Sequence, residues 1–356
     1  MFIVFLVATP IITICIKSFD ADPLIWQHII KNFFFSYSLN TIILVLFVSM
    51  ISLFLGLTAA WLSVFYDFYF KKFFSYLLIL PIAIPPYSVA YCYADVTDRG
   101  GVIFNLLEYL NLTQIHAFIP SIRSLSGAIF VLSVTLFPYV YLIAKFSFSN
   151  NSRKVIEAAA NLGISRVKLF FKCGLPLCKP AIVAGVALVM METMADFGVV
   201  HYLGIESLSV GIYKSWFGLG DFSSAARLAT ILFILSFLVL SVESLFRRKN
   251  EEKYFSYDLS TNNSKIFNNN PLPPFLIILF IVLLALVIPL LWLLYNSVNL
   301  IFQDSKLLFN FSRASINSVF LALLGSAIIT SLAAIICFTQ RIYGGTLNIF
   351  LNLSKI

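Results

Sequence analysis

Apolar residues run through this chain in long blocks, and polar residues collect between them. The blocks lie near residues 1–17, 39–66, 73–91, 127–144, 181–200, 228–246, 275–295 and 315–338, and another begins near 345. As helices rising 1.5 Å per residue they are on the scale of the ~30 Å hydrocarbon core of a bilayer. The pattern therefore predicts eight membrane spans and the start of a ninth. The first block is short enough for a secretory signal, but it has no basic leading segment and no small-x-small site before Lys17, so it reads as a retained span. One island interrupts the pattern, "RKVIEAAANLGISRVKLFFKCGLPLCKP" at 153–180, basic and amphipathic between two apolar blocks. In it Val155, Ala158, Ala159 and Leu162 fall at helical spacing beside Glu157 and Asn161. Gly163 ends that helix as a left-handed terminus would. A second helix begins at "ISRVKLFF", with Val167, Phe170 and Phe171 as its apolar face, and "GLP" at 174–176 turns the chain back toward the bilayer.

Composition supports the membrane reading. Sixty per cent of the 356 residues are hydrophobic, 37 of them phenylalanine, and 11% are charged, which excludes an ordinary soluble domain. The net charge of +8 does not gather on one soluble face, so a nucleic-acid partner is not expected. With the N-terminus in the cytoplasm, the inner loops would carry 15 Lys and Arg and the outer loops 8. The reverse orientation breaks the positive-inside rule, so the island is expected to face the cytoplasm. The five cysteines form no CxxC pair and no histidine cluster joins them, so neither a metal site nor a cofactor is expected.

The chain also starts over near residue 275. Pro10 and Pro289 each stand eight residues before a serine, Ser18 and Ser297; "SLNT" at 38–41 then matches "SINS" at 315–318, pairing Asn40 with Asn317 and Ser49 with Ser326. Paired polar landmarks in one order argue for tandem repeats of about six spans. The expected organisation is a first repeat at 1–246, a polar linker at 247–274 closed by "PLPP", and an incomplete second repeat at 275–356. At the offset of 277, a complete second copy would run to about residue 523.

Within the fifth span, Glu192 and Asp196 are four residues apart and so share a helix face. Glu192 is about 12 residues past Pro180, ~18 Å into the bilayer. A carboxylate there marks a polar pathway or a buried hydrogen-bonding partner, and the spacing leaves both open. Pro81, Pro85 and Pro86 must break the third span, which is tolerated only against protein or a water-filled cavity.

Glu157-Ala158-Ala159, three residues, Gly163, nine residues, Cys173, one residue, Leu175-Pro176 resembles the EAA loop of ABC importer permeases, with Cys173 where isoleucine is usual. Met191-Glu192-Thr193, Asp196-Phe197-Gly198, Gly211-Ile212-Tyr213 and Trp216-Phe217 look like the permeases of bacterial ferric-iron importers, and "LPIAIPPYSVAY" at 80–91 resembles their third-span element. These matches touch most of residues 38–230. The resemblance implies an all-α, polytopic transmembrane helical protein of the type I ABC importer permease (MetI-like) kind in the bacterial inner membrane. It implies that Glu157, Ala158, Ala159, Gly163, Leu175 and Pro176 dock on an ABC ATPase subunit dimer. Glu192, Asp196, Pro85 and Pro86 would then flank the translocation pathway. A periplasmic ferric-iron-binding protein would deliver cargo, and a second permease chain could supply the missing half. The chain carries no G-x4-G-K-[ST] phosphate loop, so ATP hydrolysis is expected on a separate subunit and no catalytic residue is expected here. Thiamine, sulfate or polyamine as cargo, an inactive remnant, and an ion-coupled secondary transporter are the competing expectations.

Overall fold

The computed structural model of the chain describes residues 2–112, 120–149, 153–254, 270–303 and 306–342. Among these, helices account for every regular element. The ninth block near 345 and most of the linker lie outside the described residues. Five helices are long and apolar enough to cross a membrane: α2 (Pro23–Phe65), α6 (Leu125–Ser147), the Phe222–Phe246 part of α12 (Phe222–Tyr254), Leu272–Asn299 and Phe311–Ile335. Two bent pairs meet the same test, α3 (Lys71–Leu77) leading to α4 (Pro86–Thr97) and α5 (Val102–Tyr109), and α8 (Arg166–Leu177) leading to α9 (Lys179–Ala195). The polytopic helical architecture expected from the sequence is present. The first block forms α1 (Phe2–Lys17), 16 residues and so ~24 Å long.

Residues 17–290 form one compact unit and residues 1–16 with 291–356 a second. In the larger unit α2, α6 and α9 make the core. They meet at Val140, and the meeting depends on small residues. A Cβ on Gly56 of α2 would stand 2.7 Å from the Val140 Cβ and 2.9 Å from the Tyr141 backbone nitrogen. Such close approach of backbones is how helices gain packing where lipid supplies no hydrophobic drive.

α13 (Leu272–Val282), which the repeat register assigns to the second copy, packs on first-copy helices. The Phe275 ring sits edge-on to Tyr69 and Phe74, at 5.9 and 5.4 Å. A π-turn (Leu283–Val287) follows, and the Tyr93 hydroxyl donates to the Leu284 carbonyl at 2.5 Å. The chain continues as α14 (Ile288–Gln303) and, in the smaller unit, α15 (Lys306–Ile342), whose side chains between 311 and 335 are nearly all exposed.

Candidate functional site

The island folds as two short helices held to the bundle by the buried Ile156 and Leu169 and the half-buried Phe170. α7 (Arg153–Asn161) buries Ile156, with Ala159 and Ala160 packed beside it. Gly163 then adopts φ +80, its N–H donating to the Ala160 carbonyl while that of Ile164 donates to the Ala159 carbonyl. Nothing lies within 4 Å of where a Gly163 Cβ would stand, so the left-handed backbone, not crowding, is what calls for glycine. α8 buries Leu169, and its π-turn (Phe170–Gly174) brings Phe170 to 5.1 Å from the Trp61 ring of α2. Trp61 also contacts Phe65 and Phe148, at 4.3 and 5.5 Å. The buried Cys178, not the Gly174-Leu175-Pro176 stretch, takes the 75° bend into α9.

The outward face of this hairpin is apolar. Leu162 is 80% exposed, Val167 69%, Phe171 61% and Ile164 38%. Ala158, Gly163 and Pro176 are also exposed, while Glu157, Ala159 and Leu175 are half-buried. The sequence grouped Leu162 with Val155, Ala158 and Ala159, and Phe171 with Val167 and Phe170, as apolar faces of the island; the structure anchors the hairpin by Ile156 and Leu169 and leaves Leu162, Val167 and Phe171 exposed. Pattern alone offered one signal for this. Ile156 and Leu169 are the apolar residues one position off each assumed stripe.

At the other end of α9 the two carboxylates part company. The helix stops at Ala195, and Asp196 is its extended C-cap, ψ 123, so Asp196 does not share a helix face with Glu192. Its carboxylate accepts from the Val199 N–H at 2.9 Å and its carbonyl accepts from the Ser209 hydroxyl at 2.9 Å, securing the start of α10 (Gly198–Tyr202). Glu192 remains on the last full turn of α9, exposed. His201 lies in a ring stack with Phe197 (4.8 Å) and Tyr213 (5.4 Å). Among the described residues no group of three or more His, Cys, Asp or Glu could hold a metal ion.

The third span is broken where its prolines stand. Leu80–Ala83 forms a 3-10 turn containing Pro81, Ile84 and Pro85 are extended, and Pro86 opens α4, giving a bend of 95°. α4 then presents Tyr87 and Tyr91 to Tyr202 of α10, with ring centres 5.3 and 6.1 Å apart. The Arg123 guanidinium lies 5.1 Å over Tyr202 and pairs with Asp98 at 3.0 Å. Just beyond, the loop at 204–207 is tied to α2. The Asn40 side chain donates to the Glu206 carbonyl at 2.8 Å, and the Thr41 hydroxyl accepts from the Leu208 N–H at 2.9 Å, at the start of α11 (Leu208–Tyr213). Lys214 completes the tie with an ion pair to Glu206 at 3.3 Å. The two ties to α2 were not visible in sequence, because they join residues 166 and 167 positions apart.

Apolar helices of membrane-crossing length, two bent spans and an exposed hairpin define a polytopic helical membrane protein. The chain belongs to the family of binding-protein-dependent transport system inner membrane components, which it matches over residues 52–249. It is 26% identical over 210 residues to the Fe(3+)-transport system permease protein FbpB 2 of Haemophilus influenzae, a match covering 59% of this chain and 37% of that protein. To the molybdenum transport system permease protein ModB of the same organism it is 28% identical over 209 residues, covering 57% of this chain and 88% of the relative. The sulfate transport system permease protein CysT of Salmonella typhimurium is 24% identical over 206 residues, covering 54% and 71%. The chain thus spans little more than a third of the iron permease and most of the molybdenum permease. Among solved structures, a chain of a bacterial alginate ABC transporter in complex with an alginate pentasaccharide-bound periplasmic protein shares the fold, with a TM-score of 0.55 and 14% identity over 70% of this chain and 92% of that one.

Proposed function

We propose that the chain is a membrane-spanning permease subunit of an ABC importer, moving ferric iron from a periplasmic binding protein to the cytoplasm by ATP-driven alternating access. The observation that carries the reading is the hairpin at 153–177. It is fixed to the bundle by Ile156, Leu169 and Phe170 and offers Leu162, Ile164, Val167 and Phe171 outward. Exposed apolar groups on an otherwise polar, basic loop fit a cleft on a separate protein better than they fit water. The proposed occupant of that face is an ATPase subunit, with Glu157 as the polar contact and Gly163 setting the angle between the helices.

The same geometry suggests how a push on the hairpin would travel. Trp61 joins Phe170 of α8 to Phe65 of α2 and to Phe148 just past α6, so the hairpin cannot shift without moving helices of the core. The bend at Cys178 carries the same movement into α9, and Glu192 lies 14 residues further on, ~21 Å away. In this reading Glu192 lines the pathway, while Asp196 serves the local backbone. The N-terminus is assigned to the cytoplasm from the charge bias, and the chain to a bacterial inner membrane.

Ferric ion is a hard cation that favours oxygen donors, and an exposed carboxylate on α9 suits a passing cation better than an oxyanion. A second reading, molybdate or sulfate as cargo, is favoured by the 86–88% of the molybdenum permeases' length that the chain covers. Uptake of labelled ferric iron, molybdate and sulfate in a strain deleted for the gene decides between them. Iron uptake restored by the gene supports the first reading; restoration of either oxyanion alone replaces it with the second.

A further inference from the structure

Four of the five residues that join α2 to α3 are aromatic, Tyr66, Phe68, Tyr69 and Phe70, and two lysines follow, Lys71 and Lys72. The structure divides these groups between two sides. Phe68 and Phe74 are buried in the bundle core, and Tyr69 and Phe74 take the Phe275 ring edge-on. Phe70, Phe73, Tyr76 and Leu80 recur at intervals of three or four residues and are all exposed, Phe70 the most at 76%. Phe73 and Tyr76 belong to a bent span, so lipid is their ordinary surrounding. Phe70 stands one residue before that span, at φ +56 and ψ +30, a left-handed backbone rare for a bulky side chain. The turn is held from beneath, where the Lys71 ammonium donates to the Tyr66 carbonyl at 2.6 Å. Lys72 is exposed two residues beyond the Phe70 ring.

We propose that the turn at 70–73 is a lipid anchor: the Phe70 and Phe73 rings lie at the boundary of headgroups and acyl chains, and the Lys72 ammonium pairs with the phosphate of an anionic phospholipid. The chain leaves one membrane-crossing helix at Phe65 and enters the next at Lys71. Five extended residues reach ~17 Å in all, ~8 Å out and back, on the order of the headgroup layer's thickness. The rings therefore stay within the layer where aromatic side chains concentrate. Charge bias assigns this turn, with the hairpin, to the cytoplasmic side, where the leaflet is anionic and attracts lysine. The anchor fixes the base of the broken third span, to which α6 is tied by the Tyr141 hydroxyl donating to the Ser75 carbonyl at 3.4 Å. It needs α2 and α3 to cross a membrane and holds whatever the cargo is.

Quenching of an added indole by brominated lipid tests this. Phe70→Trp and, for comparison, Tyr76→Trp are made in the full chain and reconstituted in vesicles of phosphatidylcholine and phosphatidylglycerol, one of the two brominated early or late in its acyl chains. Emission of the wild-type chain, which holds four tryptophans, is subtracted. Both positions are exposed, so neither change should disturb the fold. The indole of Phe70→Trp is expected to be quenched most by early bromines and shielded from iodide present on both sides of the membrane. That of Tyr76→Trp, six residues and ~9 Å further along, should be quenched most by later ones. At position 70 brominated phosphatidylglycerol should act with about fivefold higher apparent affinity than brominated phosphatidylcholine, the equivalent of one lysine at an anionic surface. Lys72→Gln should remove that preference and leave quenching by bromine intact. Quenching by iodide in place of bromine overturns the anchor, as does shielding from both, which contact with another copy of the chain would give. Bromine quenching with no preference for phosphatidylglycerol, or with a preference indifferent to Lys72→Gln, overturns it as well.

Discussion

Glu192 and Asp196 carry the same charge four residues apart, yet the end of one helix gives them different work. Asp196 accepts a backbone N–H at 2.9 Å and so holds α10 in place. Replacing it by alanine should cost about 1 kcal/mol, as loss of a helix cap does, whereas asparagine keeps an acceptor and should cost less. Thermal unfolding in detergent reads both. Glu192→Gln should leave unfolding unchanged and lower cation uptake on the order of tenfold, because the substitution removes charge from a pathway that needs weak, transient contacts. Equal uptake by Glu192→Gln and wild type would remove Glu192 from the pathway. Between α7 and α8, Gly163 with φ +80 predicts that Gly163→Ala weakens the hairpin by about 1 kcal/mol while Gly163→Asn is better tolerated. Binding of the ATPase subunit to the three forms measures the difference. Gly163 was legible in the sequence because a helix pattern ended on it. The role of Asp196 was not, because a helix continuing through "METMADFG" and one stopping at Ala195 have the same residues at the same spacing. Only the acceptor position of its side chain distinguishes them.

At the scale of the element, block length foretold where helices lie but not how they bend. The Pro81, Pro85 and Pro86 break could be read directly, since proline removes donors and crowds the preceding turn. The bend at Cys178 lies midway between Pro176 and Pro180, the latter in the first turn of α9, so the prolines bracket the break without naming its residue. The anchors Ile156 and Leu169 of α7 and α8 were not legible, because periodicity reveals an apolar face but not which of its residues meet the bundle. The meeting of α2, α6 and α9 at Val140 is a further case, since glycine inside a span announces a close approach without naming the neighbour. Gly56→Leu should force α2 from α6 and cost 1–3 kcal/mol or more, approximately the range for overpacked cores. Leu46→Ala, on the exposed side of the same helix, should fall within about 0.5 kcal/mol of wild type. The yield of monodisperse protein in detergent compares the two.

For the whole molecule, the multi-pass helical plan was plain from composition, because no soluble surface can be built at 60% hydrophobic content. The boundary expected between the repeats near 275 is not a packing boundary: α13 packs against residues before 246 through Phe275, and the turn after it accepts from Tyr93. Charge asymmetry predicts that the hairpin faces the cytoplasm. A cysteine at Ser165 should then react with a membrane-impermeant maleimide only in inverted vesicles, and one at Asn105 only in intact spheroplasts; the reverse pattern would invert the topology. The central claim is that the hairpin couples this chain to an ATPase that supplies the energy. Retention of the ATPase subunit through purification of the wild-type chain, Glu157→Lys and Gly163→Pro tests it most directly. The account predicts retention by the wild type and loss by both variants. Unchanged retention in both would contradict it.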